Sequence, residues 1–279
     1  MSPLATVEEL ATTHDRQYIQ RFLDGQQSEL EQRNVGFPWS TQGVDRALSS
    51  VGGTLAAACE VCELWQEQKS VGLPPWGAHV AGGTHHAFFD YGEGFSVFSD
   101  IAVAANVVLE RFPQTIKNIL IVDLDVHQGN GNAVLFQGQP AVSTFSVHCA
   151  GNFFSEKQES DLDIELPIGC TDQTYLVTLK HWLQRIEKEG AKFDLVFFQS
   201  GVDILEDDRL GRMEVSQEGV ARRNQLVYEF VNRLSIPLVI CMGGGYPRTD
   251  DWTPIIEAHC SVYVQACQFL ANQTHPQGK

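Results

Sequence analysis

Short runs of apolar, often β-branched residues alternate along this chain with longer stretches in which apolar positions recur every three or four residues. The runs Ala78–Ala81, Ile119–Asp123, Val142–Val147, Leu195–Gln199 and Leu238–Met242 predict strands. Helices are predicted over Val7–Leu23, Ser40–Gln68, Ser99–Arg111, Asp172–Glu189 and Ser216–Leu234. Leu176, Leu179, Leu183 and Ile186 mark one face of the fourth; Val220, Val227, Phe230, Val231 and Leu234 mark one face of the fifth. The glycines and two prolines of 72–77 close the second. Strands that are apolar almost throughout, separated by amphipathic helices, imply a mostly parallel sheet covered on both faces, a three-layer α/β/α fold. No repeat, low-complexity tract or linker interrupts the pattern, so residues 1–279 read as a single domain.

Composition then removes several function classes. With 43% hydrophobic and 19% charged residues the chain can bury a large core, which excludes wholesale disorder. Nineteen Lys and Arg against 35 Asp and Glu leave a formal charge of −16, which repels phosphate backbones and anionic lipid. Neither nucleic acid nor a membrane surface is therefore an expected partner. The longest strongly aliphatic run is Ile119–Val122, so no bilayer span is expected. The N-terminus has neither the basic start nor the apolar stretch of a signal peptide. Seven cysteines, odd in number and mostly in apolar surroundings, suit a reducing compartment, and a soluble, cytoplasmic protein is expected. Cys59 and Cys62 form a C-x-x-C, but within an Ala-rich helical stretch with no second pair nearby, so no metal or redox role is expected of them.

In open α/β sheets ligands bind beyond the carboxyl ends of the strands, and four predicted strands run into polar or glycine-rich clusters. Asp123, Asp125 and His127 are spaced by two, which on extended backbone places them on one side. Carboxylates at the end of a buried strand need compensation, and a cation supplies it. Asp203, after Phe197–Gly201, offers a third ligand to complete an Asp2His set suited to zinc and tolerable to iron or cobalt. His85 and His86 follow a Gly-Gly turn; two imidazoles with different partners can keep a base and an acid in one site. Gly243-Gly244-Gly245 brings backbone close to a ligand and sets Tyr246 beside it as a donor to a developing oxyanion. Each cluster alone also reads as an ordinary loop; their coincidence does not.

Together these motifs resemble the zinc-dependent histone deacetylase family, whose bacterial members include acetoin-utilisation and acetylpolyamine-amidohydrolase-like proteins. The resemblance runs in order from about Pro38 to Trp252, through Gly82–His86, Gly94-Phe95, Asp123–Gly131, the DRLG at Asp208–Gly211 and the GGGY at Gly243–Tyr246. The form DLDVHQGNG is most similar to the class IV branch. The resemblance implies an arginase-like fold with an eight-stranded, mostly parallel sheet and hydrolysis of N-acyl-lysine or related N-acyl amines such as acylated polyamines. It implies one zinc ion on Asp125, His127 and Asp203. His85, bonded to Asp123, would be electrostatic support, His86 general base and then acid, and Tyr246 the carbonyl donor. Phe95 and Phe154 would wall the acyl-lysine tunnel, with Leu210 at its rim and Gly244 in the substrate site. A structural potassium ion would fall on Asp123, Asp125, His127, Ser146 and Val147.

Two departures carry expectations. Asn130 stands where the family often has the Asp that orients His86, so His86 should lose a proton more easily and be a weaker acid. The chain also begins almost at the family's first helix, so the first strand is either absent or missing from a shortened chain. Two other readings remain: a catalytically weak acyl-lysine-binding module, which Asn130 keeps open, and an arginase-like dimanganese hydrolase, for which a second acidic cluster is wanting after Asp203.

Overall fold

The computed structural model describes residues 2–68, 72–154, 156–190 and 192–274. It opens with three short helices, α1 (Val7–Leu10), α2 (Arg16–Leu23) and α3 (Glu29–Val35), and the long α4 (Thr41–Glu67). The first two replace the single helix expected over Val7–Leu23. Asp15 ends the continuity: its carboxylate accepts from Tyr18 N–H as the cap of α2, while Thr12 bonds back to the Glu9 carbonyl.

The alternating part follows: β1 (Trp76–His79), α5 (Asp100–Arg111), β2 (Ile119–Asp123), α6 (Asn130–Leu135), β3 (Val142–Cys149), β4 (Leu162–Leu166), α7 (Asp172–Lys188), β5 (Leu195–Gln199), α8 (Gln217–Leu234), β6 (Leu238–Cys241) and α9 (Thr253–Thr274). All pairings are parallel, in the order β1-β6-β5-β2-β3-β4. Six described strands thus stand where the resemblance implied eight. β2 and β5 are buried at every position, the signature of a sheet covered on both faces. One apolar core lies between the sheet and α7, α8 and α9, the other between the sheet and α4 and α5.

The first strand lies two residues earlier than expected. β4 and α9 escaped the pattern for identifiable reasons. β4 alternates Leu-Asp-Ile-Glu-Leu because it is an edge strand, and the apolar residues of α9 are spread around the helix rather than gathered in a stripe. α4 also corrects an expectation, since it is long and apolar enough by composition to cross a membrane. Half of its most apolar stretch is buried, with Val51, Leu55, Ala58 and Cys62 in the core.

Candidate active site

The parallel sheet sets the carboxyl ends of β1, β6, β5 and β2 side by side, and each delivers its cluster to that edge. The loop after β1 is held by Asp100, the first residue of α5, whose fully buried carboxylate accepts from Gly83 N–H, Thr84 N–H, the Thr84 hydroxyl and the Thr54 hydroxyl at 2.6–3.0 Å. Gly83 and Gly243 both have left-handed φ, 80° and 76°, and a Cβ on Gly83 would lie 2.5 Å from Gly243 N. The two loops meet because Gly83 carries no side chain there, and Gly243 in turn lets the β5 turn approach, a Cβ on it lying 2.6 Å from Gly201 N.

His85 and His86 leave this loop with rings 4.0 Å apart. His85 Nδ1–H donates to Asp123 at 2.7 Å. Burial opposes protonation of His85, but the Asp123 and Asp125 carboxylates outweigh it and lift its pKa to about 9. His86 Nδ1 lies 2.6 Å from Asn130 Oδ1, which also accepts from Gly131 N–H at 3.0 Å. An amide oxygen only accepts, so the His86 proton is on Nδ1 and its Nε2 carries the lone pair. Burial first, then the His85 and His127 imidazoles, hold its pKa well below the usual histidine range.

The expected ligand set converges. Donor atoms of Asp125, His127 and Asp203 lie within 4.8 Å of one another. His127 Nδ1 is 3.2 Å from Asp125 Oδ1 and 3.1 Å from Asp203 Oδ2. Both carboxylates are buried. Burial, then the neighbouring Asp125 charge, raises Asp203 to about 8; burial opposes protonation of His127, but the hydrogen bonds it donates to both aspartates draw it to about 10. A cradle that pulls a proton onto an imidazole between two buried carboxylates is one that a cation fits, and an O2N donor set suits zinc. Asp123 departs from the simple alternation. β2 ends there and the backbone bends, so its carboxylate turns to His85 instead of joining the other two.

The remaining residues surround this centre. A cavity of about 380 Å³ is lined by His85, His86, Phe95, Asp125, His127, Gly244 and Tyr246, and reaches Arg46 of α4. Gly244 N–H donates to Asp125 Oδ2 at 2.8 Å, and a Cβ there would meet Asp203 Oδ2 at 2.3 Å. Tyr246 lies 6.0 Å from the Phe95 ring, centroid to centroid. Burial, then the nearby aspartates, raise its phenol pKa, so it keeps its proton. Phe154 packs edge-on to His86 at 4.9 Å, and the half-buried Leu210 accepts from Asn152 through its carbonyl. Asp123 and Ser146, two of the residues expected to ring a potassium ion, are register partners in β2 and β3. Ser146 Oγ there is 2.9 Å from His148 Nδ1.

Three supports escaped the sequence reading. Asp208 accepts from Leu210, Gly211 and Tyr246 N–H; Asn152 Nδ2 stands 3.2 Å from His127 Nε2; Asp100 holds the dyad loop. Only Asp208 had a signal, its place at the head of the DRLG.

A parallel sheet that gathers two buried carboxylates, an imidazole and a histidine pair beyond its carboxyl edge defines a metal-dependent hydrolase. The chain belongs to the histone deacetylase family: the histone deacetylase domain matches residues 2–263. An uncharacterized protein of Picosynechococcus sp. is 41% identical over 239 residues, 86% of this chain and 75% of its own length. Histone deacetylase 2 of Arabidopsis thaliana is 30% identical over 231 residues, and the chain spans only 52% of that protein. The crystal structure of an HDAC homolog complexed with SAHA superposes with a TM-score of 0.76 at 25% identity, covering 96% of this chain and 71% of that one. The class IV branch is not singled out by these relatives.

Proposed function

We propose that this protein is a zinc-dependent amidohydrolase that removes an acyl group, foremost acetyl, from the side-chain amine of lysine or from a related N-acyl amine such as an acylated polyamine. The observation that carries this is the Asp125–His127–Asp203 cradle, whose Asp125 and His127 line one cavity with a neutral His86. Zinc bound there would polarise the amide carbonyl and acidify water. His86 Nε2, with its lone pair free, takes the proton from the attacking water. The Tyr246 hydroxyl donates to the carbonyl oxygen as negative charge develops. His86 then delivers its proton to the departing amine, and carboxylate and free amine leave. His85, bonded to Asp123, contributes a fixed positive charge beside the site. Phe95 and Phe154 flank the substrate's alkyl stem, with Leu210 at the rim. The expected potassium ion at the β2–β3 end belongs to this reading as a structural ion, and the excess of acidic residues suits a cationic carrier.

The test is turnover of acetyl-lysine peptides and acetylpolyamines by the purified chain, before and after chelation and with zinc restored. Chelation should abolish turnover, zinc should restore it, and Tyr246→Phe should lower kcat about 100-fold or more, as loss of an oxyanion donor does. Zinc binding with no turnover on any acyl amine would sink the enzymatic reading in favour of a binding module.

A further inference from the structure

Arg223, on α8, is fully buried and reaches the sheet directly beneath the metal cradle. Its Nη1 donates to the Gly201 carbonyl at 2.8 Å and, at 3.4 Å, to the Leu124 carbonyl; Nη2 donates to the Ser200 carbonyl at 3.1 Å. Nε is satisfied by Asn224 Oδ1 at 2.9 Å, and the guanidinium lies over the Phe198 ring at 5.3 Å. None of these partners is a carboxylate. A buried charge is expensive unless paired, and here it is spent on backbone carbonyls at two places: the peptide just before Asp125 and the turn just before Asp203.

From this geometry, resting on the metal reading above, we infer that Arg223 is a positioning residue for the metal centre: one guanidinium straps the turns after β2 and β5 together so that Asp125 and Asp203 meet. Nη1 spans the two turns while Nη2 fixes the Ser200 carbonyl of the β5 turn, so the planar fork holds three carbonyls with two nitrogens where an ammonium would have one. Besides the guanidinium, the strand ends are joined by Leu124 N–H to the Gln199 carbonyl at 3.1 Å, and Val126 N–H donates to the ligand Asp203 Oδ1 at 2.9 Å. Two opposing effects act on a bound cation. The positive charge repels it, whereas the strap holds both ligands ready. If the strap dominates, removing Arg223 weakens metal binding; if repulsion dominates, removal tightens it.

The experiment measures zinc affinity of the full chain by competition with a chromophoric chelator, well below each variant's melting temperature. Arg223→Met should weaken zinc about 10- to 100-fold, the usual cost of losing an outer support of a metal ligand. Arg223→Lys, which keeps the charge and loses the fork, should fold more readily and still bind several-fold more weakly. Val227→Ala, one turn along α8 and also fully buried, lowers stability through a cavity and should leave zinc affinity unchanged. The inference is overturned if Arg223→Lys binds zinc within twofold of the unaltered chain, if Arg223→Met binds it more tightly, or if Val227→Ala weakens it equally. Failure of the unaltered chain to bind zinc would overturn the metal reading itself, and the inference with it.

Discussion

His85 and His86 are adjacent in sequence, their rings touch, and both are buried, yet they lie on opposite sides of neutrality. His85 is drawn up to about 9 and His86 is held well below the ordinary value. Desolvation acts on both in the same direction, so the difference comes from the charges around them: the Asp123 and Asp125 carboxylates lift His85, while the His85 and His127 imidazoles press His86 further down. Asp123 offers His85 a full negative charge at 2.7 Å; Asn130 offers His86 only an amide dipole at 2.6 Å. Within one loop the fold thus builds a fixed cation and a proton acceptor by giving two adjacent imidazoles different charged and polar neighbours.

The largest effect should come from removing the acceptor. His86→Gln should lower kcat about 1000-fold, within the usual range for a general acid–base group, while His85→Gln, a supporting group, should lower it about 10- to 100-fold. Steady-state kinetics on one acetyl-lysine peptide decides this. Equal losses, or a greater loss at His85, would mean that the two histidines do not divide the work in this way.

His14 sharpens the comparison by showing burial with no charged partner at all. It is buried in the helical layer, with Nδ1 donating to the Phe88 carbonyl at 2.8 Å and Nε2 accepting from Ser99 N–H at 3.0 Å. Burial lowers its pKa from 6.5 to about 4, only partly offset by backbone hydrogen bonds. Because the folded value is the lower one, the unfolded chain takes up the proton first. The stability from neutral His14 is complete above pH 6.5 and is lost as pH falls toward 4, by about 3 kcal/mol at the lower limit. Urea denaturation of the unaltered chain and of His14→Asn at pH 8 and pH 4.5 should show the gap between them narrowing in acid. A gap that widens would show that His14 is protonated in the fold.

How much of this the chain announces depends on the distance over which a signal acts. β2 and β5 are legible because burial on both faces leaves an unbroken apolar run, and the clusters beyond them because polar groups there break it sharply. The partner choices are not legible. Asp123 shares its spacing with Asp125 and His127, and only the bend after β2 turns it to His85. Asp100 looks like the ordinary acidic first turn of a helix, although Thr84 and Thr54 reach it from elsewhere in the chain. Arg223 sits among Arg222, Asn224 and Gln225 in what reads as a solvent-facing stretch; its burial depends on the turns that α8 happens to cover.

Asn130→Asp makes the smallest change and tests the cause of the asymmetry most directly. A carboxylate at 130 would give His86 the kind of partner that His85 has. It would favour the imidazolium, so the acid limb of the kcat/KM profile should move to higher pH by about one unit. Two consequences then oppose each other near neutrality. A smaller fraction of His86 is free to accept a proton, while each protonated His86 is better stabilised after accepting one. Their partial cancellation should keep kcat at the pH optimum within about tenfold of the unaltered chain. The half-buried Glu93 limits the gain, because its carboxylate already lies 3.4 Å from Asn130 Nδ2. A new aspartate there would lose that hydrogen bond and face a like charge. An unshifted acid limb would show that the partner at Nδ1 does not set the protonation of His86. A gain of more than 100-fold on every acyl substrate would mean that Asn130 disables the native site instead of tuning it.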